Sequence, residues 1–436
     1  MTEQQLVELG PAFRRFLGGF RRFFLQERPR GHFRDFCRGL LTDLPRKSVE
    51  PIALEAGTAV RTLQEFLTTT TWDHLGLRDD LQRQIVQALP GFPGGRLGTV
   101  GIIDETSALK KGDKTPGVQR QYLGCVGKRD NGIVTVHLAV ARGPFKTLLD
   151  AELYLPQSWD QDRERCRQAS IPDTLRFQPK WKIALTQLAR VEQNGLRFDW
   201  LTFDEGYGGN PRLLVVLDLA KQPYIGEVPV SFSCRRGTSL KARRADAVMA
   251  SAAARRQPWQ RVRLKRQTEA DAVWEAKALP IRLSRSSPAR HRLLLARNAR
   301  TGEVKYFVTN AARQVALTAL LAVAFARWNV EHCFRVAKSE IGLTHFEGRS
   351  YVGLLRHLVL CLVALTFVAL HTERLRGGKP GADAGASVPG AECAVRDVVE
   401  APARNGHASA HLIRDRLPSE AQQSRTTIQE EMQAQT

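Results

Sequence analysis

The sequence has few of the features that mark a secreted, membrane-spanning or disulfide-stabilised protein. Its seven cysteines are spread from Cys37 to Cys393 and include no C-x-x-C pair, which argues against a structural zinc site or a disulfide framework and indicates a reducing compartment. The longest mostly apolar stretch, Leu358–Leu370, has 13 residues, whereas a bilayer-spanning helix needs about 20. The N-terminal decapeptide contains acidic residues and no apolar core, so we expect no signal peptide. These absences predict a soluble, cytoplasmic protein with no membrane partner.

Acidic residues are also scarce relative to basic ones. Lys and Arg number 65 and Asp and Glu 44, which gives a formal net charge of +21 at pH 7. Such an excess favours a polyanionic partner, of which nucleic acid is the commonest. Aromatic residues make up only 7% of the chain, but 43% is hydrophobic, enough for a sizeable core and too much for a disordered or collagen-like protein. At 436 residues the chain exceeds one domain of about 100–200 residues, so we expect two or three domains.

Residues 1–95 predict an all-helical region. Phe and Leu recur at three- and four-residue spacing, as they do on amphipathic helices, and the segment LPRKS at 44–48 predicts a turn. Basic residues are interleaved with the aromatic ones, notably Arg14, Arg15, Arg21 and Arg22. Helices of this kind can bind DNA phosphates while packing an apolar face. An ordinary amphipathic helix in a basic protein would show the same pattern, so both interpretations stay open.

The pattern changes to strands and helices after residue 95. In the range 96–228, TVGIIDETS, YLGCVGK and IVTVHLAVA predict three antiparallel strands, and the Asn131-Gly132 pair predicts a hairpin turn over 128–132. A loop over 155–166, a helix near 181–193 and a strand–helix–strand sequence up to residue 228 follow. This order predicts an α/β fold in which helices pack on a mixed sheet. Residues 229–310 predict a β-rich insertion, 311–376 a return to helices, and the Gly-, Ala- and Pro-rich range 377–436 a disordered tail.

Three acidic residues occupy positions that suit a metal site. Asp104 is expected to end the strand GIIDET, Asp204 to end the strand WLTFDEG, and Glu331 to lie on the helix ARWNVEHCFRVAK. Acids at the carboxyl edge of a sheet point into the crevice where ligands bind. With a third acid from a packed helix, they could hold two Mg²⁺ or Mn²⁺ ions about 4 Å apart, the arrangement used for phosphodiester displacement.

Neighbouring acids compete with each of the three. Glu105 is adjacent to Asp104, and Glu205 is adjacent to Asp204. Asp199 begins its predicted strand rather than ending it, so it should point away from the crevice. Glu340 lies about a quarter-turn from the face that carries Glu331 and close to the end of the helix at Gly342.

The predicted helix around Glu331 also carries two cations. Arg327, Glu331, Phe334 and Lys338 fall within roughly 60° of one another around the helix axis. A carboxylate flanked by cations fits a site in which the acid binds metal and the cations meet phosphates. The alternative is a solvated helix face with an ordinary i,i+4 Arg–Glu pair.

A basic loop follows the strand that contains Asp104. Lys110, Lys111 and Arg120 are placed to contact the DNA backbone near the acids, although a solvated loop would have the same composition. We favour the DNA contacts.

Several segments together resemble a known family. IIDETSALKKG, GVQRQYLGCVGKRDNGIVTVHLAV, LYLPQSWDQDRERC, FDEGYG and RWNVEHCFRVAKSEIGLTHFEGRSYVGLLRHLVL are similar to bacterial insertion-sequence transposases of the DDE type. The resemblance covers roughly residues 35–375 and is closest to the branch with a Y-x2-R-x3-E-x6-K signature on the last catalytic helix. Arg327, Glu331 and Lys338 match its R, E and K, whereas Ala324 stands where the signature has tyrosine.

The resemblance implies a fold and a function. The fold would be an RNase H-like core with Asp104, Asp204 and Glu331 as its catalytic triad, a β-rich insertion before the last catalytic helix, and Arg327 and Lys338 on phosphates. The activity would be metal-dependent cleavage of double-stranded DNA at transposon ends, followed by transfer of the 3′-OH into target DNA, by a homodimer associated with the bacterial nucleoid. Two alternatives remain: an inactive, transposase-derived DNA-binding protein or repressor, and an RNase H-fold nuclease that cuts without strand transfer.

Overall fold

A computed structural model describes residues 9–237, 239–264, 272–284 and 291–375. The predicted disordered tail at 377–436 lies outside the described residues.

The N-terminal region is helical, as predicted. Its helices are α1 (Leu9–Gly18), α2 (Glu27–Leu41), α3 (Val49–Glu55), α4 (Val60–Thr68) and α5 (His74–Ala88), with short 3₁₀ turns at Arg21–Phe23 and Leu89–Gly91. The predicted turn at 44–48 falls between α2 and α3. Buried phenylalanines on the inner faces, including Phe13 and Phe36, belong to the same hydrophobic core as the central sheet. The helical region is therefore docked on the rest of the chain.

The central sheet has an RNase H-like strand arrangement. Its strands are β1 (Thr99–Leu109), β2 (Gln119–Leu123), β3 (Lys128–Arg142), β4 (Phe145–Leu153), β5 (Trp200–Phe203) and β6 (Tyr224–Val228). β3 runs antiparallel to β1 and β4 antiparallel to β3, whereas β5 runs parallel to β1 and β6 parallel to β5. The order β4-β3-β1-β5-β6 confirms the predicted mixed sheet and fold class.

Short helices replace the loop that was predicted at 155–166. They are α6 (Gln157–Gln161) and α7 (Arg163–Gln168), and the predicted helix near 181–193 is α8 (Lys180–Gln193). Trp159 of α6 is fully buried, and its indole Nε1 donates to the Val118 carbonyl at 2.8 Å. Asp162 caps α7 by accepting from the Arg165 amide at 3.0 Å. The loop prediction was wrong because a buried tryptophan anchors these polar turns to the core.

The predicted hairpin turn at 128–132 was also wrong. β2 pairs with β3 from Gln119–Gly132 to Leu123–Lys128, so the turn lies at residues 124–127. Gly132 sits inside β3, with β1 on one side and β2 on the other. A Cβ atom there would collide with the Ala108 carbonyl oxygen and lie 2.6 Å from Leu123 Cδ1. Gly132 therefore allows β1 and β2 to pack closely against β3, and the chain does not reverse direction there.

Substitution of this glycine provides a direct test. We expect Gly132→Ala to lower the free energy of unfolding by about 1–3 kcal/mol because the added methyl group overpacks the sheet. Gly124→Ala, in the observed turn, has no atom within 4 Å of the added carbon and should leave stability unchanged. Urea denaturation of both variants measures the difference, and equal stabilities would contradict the observed register.

The range predicted as a β-rich insertion continues the central sheet. It contains β7 (Ser233–Cys234), β8 (Arg243–Arg244), α11 (Ala245–Met249), α12 (Ala252–Arg256), β9 (Gln260–Leu264), β10 (Ala272–Ile281), β11 (His291–Asn298) and β12 (Val304–Thr309). β12 pairs antiparallel with β6, and the order β6-β12-β11-β10-β9 extends the sheet beyond the core strands. The domain limits at 95, 228, 310 and 376 stay a prediction.

Five further helices follow β5 and β12 in the chain. α9 (Glu205–Gly208) and α10 (Pro211–Leu219) follow β5, and α13 (Leu317–Ala326), α14 (Trp328–Ser339) and α15 (Tyr351–Leu375) follow β12. Among the described residues, one helical stretch, Tyr351–Thr372, is long and apolar enough to cross a membrane, but 83% of its apolar window is buried within the protein. The apolar run in the sequence was counted only from Leu358, after Arg356. Arg356 is nevertheless buried within the helix, because its guanidinium donates to the Phe66 and Leu67 carbonyls at 3.1 and 3.2 Å. This burial is typical of the core helix of a soluble protein.

Candidate active site

Asp104 lies in the middle of β1 rather than at its end. The strand continues to Leu109 because β3 pairs with it over its whole length, from Thr99–Arg142 to Leu109–Gly132. Its parallel neighbour β5 is shorter and stops at Phe203, opposite Ile103. Asp104 is therefore the first β1 residue beyond the parallel pairing, and it borders the crevice although the strand itself goes on.

Asp204 directly follows β5, as predicted, and begins the short helix α9. Its Oδ1 atom accepts hydrogen bonds from the backbone amides of Gly206 at 3.0 Å and Tyr207 at 3.3 Å. These two bonds fix the orientation of the carboxylate. The rival Asp199 lies at the opposite end of β5, where its Oδ2 accepts from the Thr99 amide at 2.7 Å, so it is remote from Asp204.

Arg327 links the third acid to the first. It stands at the junction of α13 and α14, and its side chain is 17% exposed. Its Nη1 donates to Asp104 Oδ2 and its Nη2 to Glu331 Oε1, each at 2.8 Å. The structure thus brings Asp104 and Glu331, which are far apart along the chain, onto one guanidinium. The rival Glu340 is at the other end of α14, where its carbonyl accepts from the Lys47 ammonium.

The pKa values of Asp104 and Asp204 are both raised by burial and by neighbouring negative charge. Burial, together with the nearby charge of Asp204, raises the pKa of Asp104 to about 7, against the opposing effect of Arg327. Burial and the charge of Glu105 raise the pKa of Asp204, while its two backbone hydrogen bonds and Arg327 act in the opposite direction. A carboxyl group whose pKa is raised by burial and by a second carboxylate lies in a poorly solvated space near that charge. Such a pair is stabilised by a cation.

Lys338 lies on the same side of the sheet as Arg327. Its ammonium is 5.7 Å from the centre of the Phe334 ring, which itself contacts the His137 ring at 5.1 Å. Burial lowers the pKa of Lys338, while the Cys125 thiol and the Asp104 carboxylate act to raise it. The ammonium therefore feels the charge of Asp104, and the predicted grouping of Arg327, Glu331, Phe334 and Lys338 is preserved although Arg327 occupies a helix junction.

The opposite face of β1 holds a group of residues that the sequence did not single out together. Glu105, adjacent to Asp104 and so directed to the other face, receives Lys180 Nζ at 2.5 Å and the Tyr207 hydroxyl at 3.4 Å. Lys180 also lies 5.3 Å from the centre of the Tyr154 ring. The sequence feature that could have indicated this group was Tyr207, which lies three residues after Asp204. Glu105 is thus ion-paired with Lys180, although its charge still acts to raise the pKa of Asp204.

The signature tyrosine has no direct replacement. Ala324 is buried on α13, and its carbonyl accepts from the Thr202 hydroxyl at 3.5 Å. The position therefore packs against β5 and offers no hydroxyl to a phosphate.

The residues predicted to contact DNA differ in their surroundings. Lys110 is half-buried, and its ammonium donates to the Thr344 and Phe346 carbonyls at 3.2 and 2.5 Å, so it ties β1 to the loop after α14. Lys111 and Arg120 are exposed. The N-terminal arginines Arg14, Arg15, Arg21 and Arg22 are exposed as well, and Arg22 forms an ion pair with Asp80.

The three acids offer the oxygen donors that a divalent cation prefers, but their side chains are not arranged around one point. Their donors are carboxylate oxygens, which Mg²⁺ and Mn²⁺ prefer, and the mutual repulsion of Asp104 and Asp204 favours a bound cation. Within the described ranges, however, no three His, Cys, Asp or Glu side chains lie together as a metal-binding group. Glu331 is turned onto Arg327 instead. Asp104 and Asp204 would hold the ion, and Glu331 would complete the set once Arg327 releases it.

The chain is similar to known proteins in sequence and in structure. The curated relative, a probable transposase for insertion sequence element IS701 from Microchaete diplosiphon, is 35% identical over 191 residues, which are 43% of this chain and 46% of that protein. The chain thus spans about half the length of the curated relative it matches. A cryo-EM structure of a piggyBac transposase synaptic complex with hairpin DNA aligns with 90% of this chain and 73% of that chain, at 11% identity and a TM-score of 0.44.

The family profile described as "DDE superfamily endonuclease" matches residues 19–285. This range contains Asp104 and Asp204 but not Glu331, whose place in the site rests on its contact with Arg327. Because the profile covers more than half of the sequence, the chain belongs to the DDE superfamily endonucleases.

Proposed function

We propose that this chain is a DNA transposase that cuts double-stranded DNA at transposon ends and joins the released 3′-OH to target DNA. Superfamily membership supports phosphodiester cleavage, and the relative named as a probable insertion-sequence transposase supports strand transfer as the outcome. The observation that carries the proposal is that one guanidinium, that of Arg327, contacts both Asp104 and Glu331. The charges of Arg327 and Asp204 also act on one another, since Arg327 opposes the raised pKa of Asp204.

DDE superfamily endonucleases generally use divalent metal ions. We propose Mg²⁺ or Mn²⁺, two ions, held by Asp104, Asp204 and Glu331. Such ions, when bound, polarise the phosphodiester and lower the pKa of an attacking water or hydroxyl group.

The protein's own groups supply orientation and charge. The amides of Gly206 and Tyr207 hold the Asp204 carboxylate in one orientation, so no reorganisation is needed when substrate binds. Arg327 is next to both Asp104 and Glu331 and can transfer its two N–H donors from these carboxylates to a phosphate, for which a guanidinium is well suited. Lys338 adds a second cation on the same side.

We propose that basic surface residues hold the DNA on either side of the crevice. Lys111 is exposed in the loop after β1 and Arg120 is exposed on β2, whereas Arg14, Arg15 and Arg21 are exposed in the N-terminal helical region. Lys110 and Arg22 are less suited, because each is already engaged by the protein. Since two transposon ends must be cut and joined together, we propose a homodimer that assembles on DNA in the bacterial nucleoid.

A strand-transfer assay tests the function. Purified protein is incubated with Mg²⁺, supercoiled target plasmid and a labelled duplex that carries the terminal inverted repeat flanking the gene. We expect label to be joined to the plasmid. Cleavage without joining would indicate a nuclease, and binding without cleavage an inactive DNA-binding protein; the buried Ala324 at the signature tyrosine position is the observation that favours this second outcome.

A matched pair of variants identifies the third acid in the same assay. Glu331→Gln removes the charge that contacts Arg327, and we expect cleavage to fall about a thousandfold, which corresponds to about 4 kcal/mol of transition-state stabilisation. Glu340→Gln makes the same change at the other end of α14 and should cleave normally. If the two variants lose the same amount of activity, Glu331 is not the third ligand.

A further inference from the structure

Lys47 is a buried cation between the N-terminal helices and the loop that follows α14. It lies in the segment LPRKS between α2 and α3, and only 2% of the residue is exposed. Its ammonium donates to the Leu40 carbonyl at 2.7 Å and to the Glu340 carbonyl. Because an ammonium is withdrawn from water only where such acceptors replace its hydration, these contacts hold the side chain in one place.

The two carbonyls belong to the C-terminal ends of two different helices. Leu40 is in the last turn of α2, and Glu340 follows Ser339, the last residue of α14. The last carbonyls of a helix lack partners within the helix and carry the negative end of its dipole, so a nearby cation stabilises them. Although Lys47 and Glu340 are 293 residues apart in the chain, one ammonium joins the end of α2 to the end of α14.

The loop after α14 is packed closely against Lys47. The Lys47 amide donates to Nδ1 of His345 at 3.0 Å. Gly342 has a φ of 81°, and a Cβ atom at this position would lie 2.6 Å from the Lys47 Cβ. A residue with a side chain would therefore be strained here and would push Lys47 away from the loop.

Other side chains fix the same loop to the rest of the core. Lys110 ties it to β1 through two carbonyl contacts. His357 ties it to α15, because its Nε2 atom lies 3.1 Å from the Gly342 carbonyl. Lys47 extends these anchors to the N-terminal helical region.

The helix end that Lys47 holds belongs to the helix that carries the third acid. Glu331 lies in the first turn of α14 and Lys338 in its last turn. Glu331 precedes Glu340 by nine residues, which is about 13.5 Å along a helix axis. A shift at the end of a short helix is carried to both side chains, and a displacement of about 1 Å in a catalytic site can lower a rate about a hundredfold.

We propose that Lys47 is a positioning residue for DNA cleavage: it fixes the C-terminal end of α14 against the N-terminal helical region and thereby holds Glu331 and Lys338 in the crevice. The inference rests on the proposed function, because it takes α14 as the helix that supplies the third acid. Lys47 contacts neither the metal nor the DNA in this role. It links the region proposed to bind DNA to the helix proposed to act on the cut phosphate.

Neighbouring lysine and arginine residues offer a matched pair of variants. Lys47→Met keeps the aliphatic stem and removes the ammonium. Arg46→Met is the control, because Arg46 is 64% exposed and forms an ion pair with Glu347, which is 51% exposed, in the same loop. The full-length proteins are compared at a temperature at which thermal melts show each of them to be folded. Titration with end-containing duplex without metal measures DNA affinity, and single-turnover cleavage in Mg²⁺ with protein in excess measures the rate.

The expected results separate positioning from binding. Lys47→Met should bind DNA with unchanged affinity and cleave it about ten- to a hundredfold more slowly, because α14 is displaced. Lys47→Arg, which keeps the charge and the donors, should recover most of the lost rate, and Arg46→Met should bind and cleave as the unmodified protein does. An unchanged rate for Lys47→Met, or a loss of affinity as large as its loss of rate, overturns the proposal.

Hydrogen exchange tests the same inference without any activity. In Lys47→Met, the amides in the last turn of α14 should exchange faster than in the unmodified protein, whereas those of β3 should exchange at the same rate. Unchanged exchange in α14 overturns the proposal. If Lys47→Met does not fold, Lys47→Gln, which keeps one donor, takes its place under the same criteria. Failure of the unmodified protein to cut end DNA would instead refute the proposed function, so the two failures are distinguishable.

Discussion

Asp104→Asn should abolish DNA cleavage while DNA binding and folding are retained. The substitution removes a negatively charged oxygen donor from the crevice and keeps the size of the side chain. A loss of about 4 kcal/mol of transition-state stabilisation lowers the cleavage rate about a thousandfold. Cleavage of end-containing duplex in Mg²⁺ measures the rate, and a gel shift without metal measures binding.

Stability is the informative second measurement for this variant. Asp104 is buried, and its carboxylate is crowded by that of Asp204, so the loss of its charge relieves repulsion. We therefore expect the melting temperature not to fall, unlike the result for an acid whose purpose is structural. Asp113→Asn, in an exposed loop after β1, is the control and should cleave normally. Retained cleavage by Asp104→Asn would remove the central residue of the proposed site.

Arg190→Met should be the most destabilising of the changes considered. Arg190 on α8 donates from Nη1 to Asp150 Oδ2 at 2.6 Å, and its Nη2 lies 3.0 Å from Glu152 Oε1. Asp150 is fully buried and receives one further side-chain donor, Gln82 of α5, at 3.3 Å. Removal of the arginine leaves the fully buried Asp150 without a cationic partner, which typically costs about 3–5 kcal/mol. Part-buried Glu152 keeps Arg78 at 3.5 Å.

Urea denaturation measures this loss, and a surface pair supplies the control. Arg167→Met breaks the ion pair between Arg167 and Glu164, which are 57% and 65% exposed, and should not measurably change the unfolding midpoint because exposed pairs contribute little. Equal midpoints for the two variants would show that the buried network does not join α5, β4 and α8 as described.

Arg327 supplies the positive charge that balances the acids of the site. Its guanidinium lies beside Asp104 and Glu331, so the crowded carboxylates have a counter-charge before any metal or DNA arrives. The same side chain is the match to the signature arginine. One residue can therefore stabilise the crowded carboxylates and, under the proposed function, donate to a phosphate of the substrate.

Local patterns in the sequence were sufficient for much of the fold, and they supplied the candidate acids. Apolar periodicity located the N-terminal helices, α8, α10 and the strands around Asp104 and Asp204, since periodicity reports which face of an element is buried. Spacing along a single helix related Arg327, Glu331 and Lys338. The residue types themselves indicated oxygen ligands and a nucleic-acid partner.

Other features depended on partners distant in the chain. The Asn131-Gly132 pair has the composition of a turn, yet Gly132 lies within β3 because β1 and β2 approach on either side. Strand β1 continues beyond Asp104 because it pairs with β3 over a longer range than with its parallel neighbour β5. Lys110 is withdrawn from solvent by carbonyl groups of a loop more than two hundred residues away.

The sequence by itself determined the candidate residues for the proposed chemistry and most of the elements that carry them, because both follow from side-chain type and local periodicity. Only the tertiary structure decided that Arg327 contacts Asp104, that Glu105 pairs with Lys180, and that the turn of the β2–β3 hairpin lies against Ser107 of β1. These relations depend on strand register and helix packing between segments far apart in the chain, and no local pattern encodes them.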